Sequence, residues 1–233
     1  AIVGSGGTPP YMYSVNGSLP HSNMAYFNSY SAGNYTVQII DINDCTSSKL
    51  LTISDPSELN VTITPSNWHG NNYQIKCNGD SSGFADITVT GGVGPYLYTV
   101  LDFNGNTIAS SPNSYIDNLG AGTYTFVITD ANGCIYPETI TYFEPSEIQH
   151  HFIVTHVNCS GWNNGALVDS VYGGVGSATT YSYLWNNGET THTIDSLFVG
   201  EYIIIVTDEN NCISSDTIEV NDNNALVATL TVT

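Results

Sequence analysis

The sequence contains no arginine, and its two lysines, Lys49 and Lys76, face 21 Asp and Glu, a formal net charge of −19. Phosphate backbones are held by clustered Lys and Arg, so nucleic acid is excluded as a partner. Anionic membrane surfaces fall to the same argument. Long apolar runs are missing as well. The most apolar stretch, Glu201 to Val206, is strand-sized, whereas a spanning helix needs about 20 residues, so direct membrane insertion is not expected. Charged residues make up only 10% of the chain, and the Glu, Lys and Arg that build solvated helices are scarce, so essentially no helix is expected. No charged-then-apolar leader precedes the first strand, which fits a removed leader or an excerpt. No Cys-x-x-Cys occurs, which argues against zinc.

What is present is repetition. Gly33, Tyr35, Asp41, Asn43 and Cys45 recur at the same offsets as Gly122, Tyr124, Asp130, Asn132 and Cys134, and again as Gly200, Tyr202, Asp208, Asn210 and Cys212. Apolar positions beyond each Cys also agree: Leu51/Ile53, Ile140/Tyr142 and Ile218/Val220. Self-similarity at a fixed period marks an array of one structural unit. Stalks, fibres and adhesins are tiled in this way, whereas enzymes seldom repeat one site.

Each unit reads as short strands and tight turns. In the complete copy, Val61/Ile63 and Ala85/Ile87/Val89 alternate with polar residues, and Tyr124, Phe126 and Ile128 share one face of the longest strand. Asn104-Gly105 and Asn132-Gly133 are hairpin turns, and Asn43-Asp44 and Asn210-Asn211 meet the same need. Six or seven such strands predict an all-β chain of tandem immunoglobulin-like antiparallel β-sandwich repeats. A Tyr five residues after a Leu, as in Leu119–Tyr124 and Leu197–Tyr202, resembles the tyrosine corner of such folds. Trp185 sits where the other repeats place Val15 and Phe103, and is expected in the core.

Matching Pro-Ser-Glu segments at Pro56 and Pro145 set the borders: repeat 1 over 1–56, repeat 2 over 57–145, repeat 3 over 146–221, and 222–233 as the first strand of a following repeat. Repeat 1 thus lacks its first strand. The tail, with Leu226, Ala228, Leu230 and Val232 on one face, is a candidate donor of that strand to an identical chain, head to tail.

The combination of Gly6-Gly7, Pro10-Tyr11 and Asn16-Gly17, of Gly91-Gly92, Pro95-Tyr96 and Asp130 to Cys134, and of Gly173-Gly174 and Trp185 to Gly188 is similar to the SprB-type repeat. Repeat 3 departs by lacking the Pro-Tyr pair. The resemblance implies a secreted, filamentous cell-surface protein of the kind found in gliding Bacteroidota, exported by the type IX system.

Candidate sites follow. The cysteines pair by repeat as Cys77–Cys134 and Cys159–Cys212, leaving Cys45, whose partner would lie before Ala1. Strict immunoglobulin order puts these turns at opposite ends of a sandwich, so such bridges need a modified topology, and free thiols are the alternative. Asp41, Asn43, Asp130, Asn132, Asp208 and Asn210 are weak calcium candidates, an Asx-turn being preferred. No other cofactor is expected. His150, His151 and His156 are expected at the surface rather than on a metal. The triplets containing Ser170, Ser196 and Thr217 resemble the O-glycosylation site of Bacteroidota. Trp68 and Trp162 fall in loops where they could stack on sugars. Lysine-based isopeptide staples cannot be general, because repeat 3 has no Lys.

The function expected is a non-catalytic structural and adhesive segment of a long extracellular filament. Its partners would be neighbouring repeats, with surface glycans as a further candidate. The alternative is a carbohydrate-binding or spacer module on a secreted hydrolase.

Overall fold

The computed structural model describes residues 2–18, 30–68, 72–177 and 179–222. Sixteen strands and no helix occur among them. The chain forms two compact units, 1–58 with 91–93, and 59–90 with 94–233. The tail residues Leu226, Ala228, Leu230 and Val232 lie outside the described residues.

In the first unit β1 (Met12–Val15), β2 (Gly33–Ile40) and β3 (Thr46–Ile53) form one antiparallel sheet in the order β1-β2-β3. Val15 and Val37, paired across β1 and β2, are buried, but Leu50 and Leu51 of β3 are 64% and 47% exposed.

The second unit carries two sandwiches. Repeat 2 pairs β4 (Asn60–Pro65), β5 (Gly83–Thr90) and β8 (Tyr115–Leu119) in one sheet. Its other sheet has the order β10-β9-β6-β7, from β6 (Leu97–Leu101), β7 (Thr107–Ser111), β9 (Gly122–Thr129) and β10 (Ile135–Tyr142). Alternation aims Ala85, Ile87 and Ile116 of one sheet at Val100, Phe126 and Ile128 of the other, and these make a single core. Fully buried Tyr142 adds a polar tie across it, its phenol donating to the Phe84 carbonyl at 3.0 Å.

Repeat 3 has the sheets β11-β12-β14 and β13-β15-β16, from β11 (Gln149–Thr155), β12 (Gly165–Tyr172), β13 (Ser182–Trp185), β14 (Thr193–Leu197), β15 (Gly200–Thr207) and β16 (Ile213–Val220). Leu167, Ile194, Trp185, Ile204 and Val206 form its core. Trp185 is buried, as is Val15, but Phe103 is 85% exposed. Register explains the difference. Trp185 opposes Ile204, Val15 opposes Val37, and the residue of repeat 2 opposing the matching Phe126 is Val100. The β6–β7 turn has the construction of the turn after β13, Gly105 N donating to the Asp102 carbonyl as Gly188 N donates to that of Trp185, but it begins two residues further along, which carries Phe103 out of the sheet.

The tyrosine corner is present in all three repeats. The phenols of Tyr35, Tyr124 and Tyr202 donate to the carbonyls of Ser31, Gly120 and Phe198, each four residues upstream. The Gly-Gly motif also has a shared role. Gly92 N and Gly174 N donate to the Ser57 and Ser146 carbonyls at 2.8 Å, holding each Pro-Ser-Glu segment against its Gly-Gly loop. Gly173 has φ +91, and a Cβ there would collide with the Glu147 carbonyl, so only glycine lets the segment approach. Repeat 3 keeps the motif's tyrosine at a shifted spacing: Tyr181 donates to the Gly173 carbonyl as Tyr11 donates to that of Gly6.

Candidate functional site: the junction of repeats 2 and 3

The hairpins β2–β3, β9–β10 and β15–β16 share one construction. Asp41 Oδ1 accepts from the backbone N–H groups of Asn43 and Cys45 at 2.9 Å each. Asp130 does the same for Asn132 and Cys134, and Asp208 for Asn210 and Cys212, at 2.8 to 2.9 Å. Only the second turn residue, Asp44, Gly133 or Asn211, takes positive φ. The remaining carboxylate oxygen reaches the Gly-Gly loop, Asp41 Oδ2 accepting from Thr8 N at 3.0 Å and Asp208 Oδ2 from Val175 N at 2.8 Å. These backbone donors, Thr8 first and then Cys45, hold the Asp41 carboxyl below the usual carboxylate range against a smaller opposing effect of burial. The Asp-x-Asn residues are therefore Asx-turn acceptors that stiffen a hairpin. Among the described residues no group of three or more His, Cys, Asp or Glu is arranged to hold a metal.

The hairpin cysteines do not pair within their repeats. The bridge joins Cys77 of repeat 2 to Cys212 of repeat 3, with a Cα–Cα distance of 5.6 Å, and Cys45, Cys134 and Cys159 are free and exposed. This corrects the expected pairs Cys77–Cys134 and Cys159–Cys212. The β4–β5 loop bearing Cys77 lies at the end of β10, where Gln74 N and Ile75 N donate to the Phe143 carbonyl. Cys134 lies at the other end of that eight-residue strand, about 26 Å away at ~3.3 Å per residue. A disulfide needs Cα atoms within roughly 7 Å, so the intra-repeat pair is sterically impossible. Repeat 3 is built alike, Val157 N donating to the Asn221 carbonyl at the far end of β16 from Cys212.

Around the bridge the two repeats interlock. Asn210 Nδ2 donates to the Lys76 carbonyl at 2.9 Å, and Cys77 packs against the repeat 3 core. The connecting segment is gripped from the repeat 2 side, Asn78 Nδ2 donating to the Pro145 carbonyl at 3.0 Å and Gly79 N to Glu144 Oε2 at 2.7 Å. A recess of about 380 Å³ remains here, lined by Asn78, Asp80, Glu147, Ile148, Asp208 and Ser214, among others.

A second polar cluster lies within repeat 3. His150 Nδ1 is 2.7 Å from Asp169 Oδ2 and His150 Nε2 is 3.2 Å from Ser214 Oγ, which in turn donates to the Ile148 carbonyl. The side chains of His150 and Asp169 are 4% and 0% exposed, which corrects the surface placement of this histidine. Burial raises the Asp169 carboxyl and His150 opposes that. In repeat 2 the register-equivalent positions are Val61, Ile87 and Tyr136, so the trio is a polar version of the same contact between sheets. Serine, histidine and aspartate stand in the order of a nucleophile relay, yet the Ser214 hydroxyl is committed to a backbone carbonyl.

The other candidates are placed as follows. His151 is exposed, and His156 Nδ1 accepts from Asn221 N at 3.0 Å. Ser170, Ser196 and Thr217 are exposed. Trp68 is tied by its indole N–H to the Gln74 carbonyl at 3.1 Å, whereas Trp162 is 56% exposed.

The structure resembles three N-terminal domains of the highly immunogenic outer capsid protein of bacteriophage RB49, at 15% identity, a TM-score of 0.42, and coverage of 91% of this chain and 84% of that one. The N-terminal eight Ig domains of Down Syndrome Cell Adhesion Molecule align at 11% identity and a TM-score of 0.37, over 92% of this chain and 33% of that one. The BSP domain of a biofilm associated protein aligns at 14% identity and a TM-score of 0.26, over 83% and 42%. No curated protein sequence matches. Residues 73–105, which run from the β4–β5 loop to the turn after β6, match the family model described as the SprB repeat, so this stretch is similar to a SprB-type repeat.

Proposed function

We propose that this chain is a non-catalytic structural and adhesive segment of a long extracellular filament displayed at the cell surface. The observation that carries this reading is the Cys77–Cys212 bridge, which ties one repeat to the next rather than closing a repeat on itself. A staple of this kind serves an array under tension and gives nothing to a single active site. A structural disulfide also belongs to an oxidising compartment, which supports an extracellular location. The SprB-type repeat at 73–105 supports the same assignment. A net charge of −19 keeps parallel filaments apart and soluble. The partners in this reading are neighbouring repeats, joined through the hairpin and the β4–β5 type of loop.

Immunogold labelling of intact, unpermeabilised cells, with antibody raised to this chain, tests the proposal. Label along filaments extending from the surface is expected. Label confined to the interior of sectioned cells would contradict it.

A further inference from the structure

The connecting segment 144–148 is held from both repeats, and one of its holds depends on a proton. On the repeat 2 side Asn78 and Gly79 grip it. On the repeat 3 side Gly174 N donates to the Ser146 carbonyl at 2.8 Å and Ser214 Oγ to the Ile148 carbonyl at 3.3 Å. Ser214 Oγ also lies 3.2 Å from His150 Nε2. A hydroxyl has one proton to give, and a bare imidazole nitrogen accepts it as readily as a carbonyl does. Ser214 therefore bonds both partners only while Nε2 carries a hydrogen of its own. Behind it, His150 Nδ1 and Asp169 Oδ2 stand 2.7 Å apart, a separation that needs a proton between them. The donors then run in one direction, from Asp169 and His150 through Ser214 to the Ile148 carbonyl, with two protons on the Asp169–His150 pair.

When one of these protons leaves, the other stays between Nδ1 and Oδ2, because two bare lone pairs at that separation repel. Nε2 is then bare and draws the Ser214 hydroxyl away from Ile148. We propose that Asp169, His150 and Ser214 form a proton-operated latch on the connecting segment: with the second proton bound, Ser214 holds Ile148, and when that proton leaves, Ser214 turns to His150 and releases it. The inference rests on reading the chain as an array of stapled repeats, and makes one hold on their junction responsive to pH. Ser214 and Ile148 line the same recess as Cys77 and Cys212, so the latch stands beside the bridge.

The surroundings leave the pair to govern itself. The side chains of His150 and Asp169 are 4% and 0% exposed, and Asp169 Oδ1 is buried with no hydrogen-bond partner among the described residues. Phe152 of β11 stacks on the His150 ring, and Asp169 N donates to the His192 carbonyl. The ionisable groups acting on Asp169 from other strands are Asp216 of β16 and Tyr183 of β13. Neither brings positive charge, and residues 146–222 contain no Lys or Arg. Burial has the largest effect on the Asp169 carboxyl and raises it, His150 and the His151 backbone N–H oppose that, and Asp216 reinforces it. The latch is thus closed on the acid side of the pair's titration and open on the alkaline side.

The test follows the ¹³C,¹⁵N-labelled full chain by NMR from about pH 5 to about pH 9, which brackets imidazole titration. Long-range ¹H–¹⁵N spectra read the hydrogen on His150 Nε2, and the Ile148 ¹³C′ shift reads the bond to its carbonyl. The two are expected to change together with a single midpoint. Above it, exchange of the Gly174 and Gly79 amides should quicken several-fold once base catalysis is divided out. Ser214→Ala should abolish the Ile148 response while His150 still titrates. Several results would overturn the latch: an Ile148 shift that stays constant while Nε2 loses its hydrogen, an Ile148 response that survives in Ser214→Ala, or an Nε2 that is bare or protonated across the whole range. The wild-type comparison decides the matter even where the variant does not fold. Mass mapping of the same unreduced sample separates the two readings: a Cys77–Cys212 peptide beside an inert Ile148 removes the latch alone, whereas a missing Cys77–Cys212 peptide removes the stapled array.

Discussion

The side-chain amide of Asn210, in repeat 3, donates to the main-chain carbonyl of Lys76, in repeat 2, at 2.9 Å. Asn210 is 2% exposed, so its loss leaves a carbonyl at the junction without that donor. Asn210→Ala should cost about 1–2 kcal/mol, the usual cost of orphaning a buried polar group. Asn43→Ala at the equivalent exposed position should cost less than about 0.5 kcal/mol. Calorimetric melting of the two variants checks this, with a drop of a few degrees expected for Asn210→Ala alone.

The buried His150–Asp169 pair makes a contrast between single and double substitution. His150→Val alone leaves Asp169 buried without its partner and should destabilise by about 3–5 kcal/mol. His150→Val with Asp169→Ile installs the pair that repeat 2 uses, Val61 and Ile87, and should be neutral or stabilising. Denaturant titration of wild type, single and double variants tests it. A double variant as weak as the single one would show that the polar pair is needed in its own right.

The pH dependence follows from two carboxylates with opposite shifts. Asp41 has a lowered native pKa, so its contribution is present above its unfolded value and is lost as pH falls through the native one. Asp169 has a raised native pKa, so its protonation favours the folded state and its contribution grows as pH falls. Melting from pH 5 down to pH 2 should show a smaller loss for Asp41→Asn than for wild type. Asp169→Asn should show a larger one.

The hairpin carboxylates give a further expectation about metal. Asp41 and Asp208 already accept three backbone N–H groups each, so removing calcium takes nothing from them. The melting temperature should be unchanged by chelator. A drop of several degrees would instead place calcium at these turns or at the connecting segments.

Strand alternation and turn chemistry are local properties, and they were legible in the sequence. The faces of β5 and β9, the Asx-turns at Asp41, Asp130 and Asp208, and the tyrosine corners at Tyr124 and Tyr202 all follow from residues within a few positions of one another. The cysteine partners were not legible, because repeats 2 and 3 present the same two kinds of loop and local pattern cannot say which copy supplies the partner. Topology settles it: the two loops lie at opposite poles of one sandwich, whereas the Cys77 loop of repeat 2 meets the Cys212 hairpin of repeat 3. The His150–Asp169–Ser214 cluster was equally hidden, since it joins three strands whose register only the folded sheets fix. Phe103 misled for a related reason, as β6 runs two residues further before its turn than β13 does, which gives the expected place to Val100.

The central claim is that the bridge runs between repeats. In the chain-entropy picture, closing a loop with a sequence separation of 135 stabilises by about 5 kcal/mol at most. The most direct measurement is mass mapping of the unreduced, alkylated chain. The account predicts one linked peptide pair containing Cys77 and Cys212, with Cys45, Cys134 and Cys159 alkylated in the monomer. A Cys77–Cys134 or Cys159–Cys212 pair would contradict it.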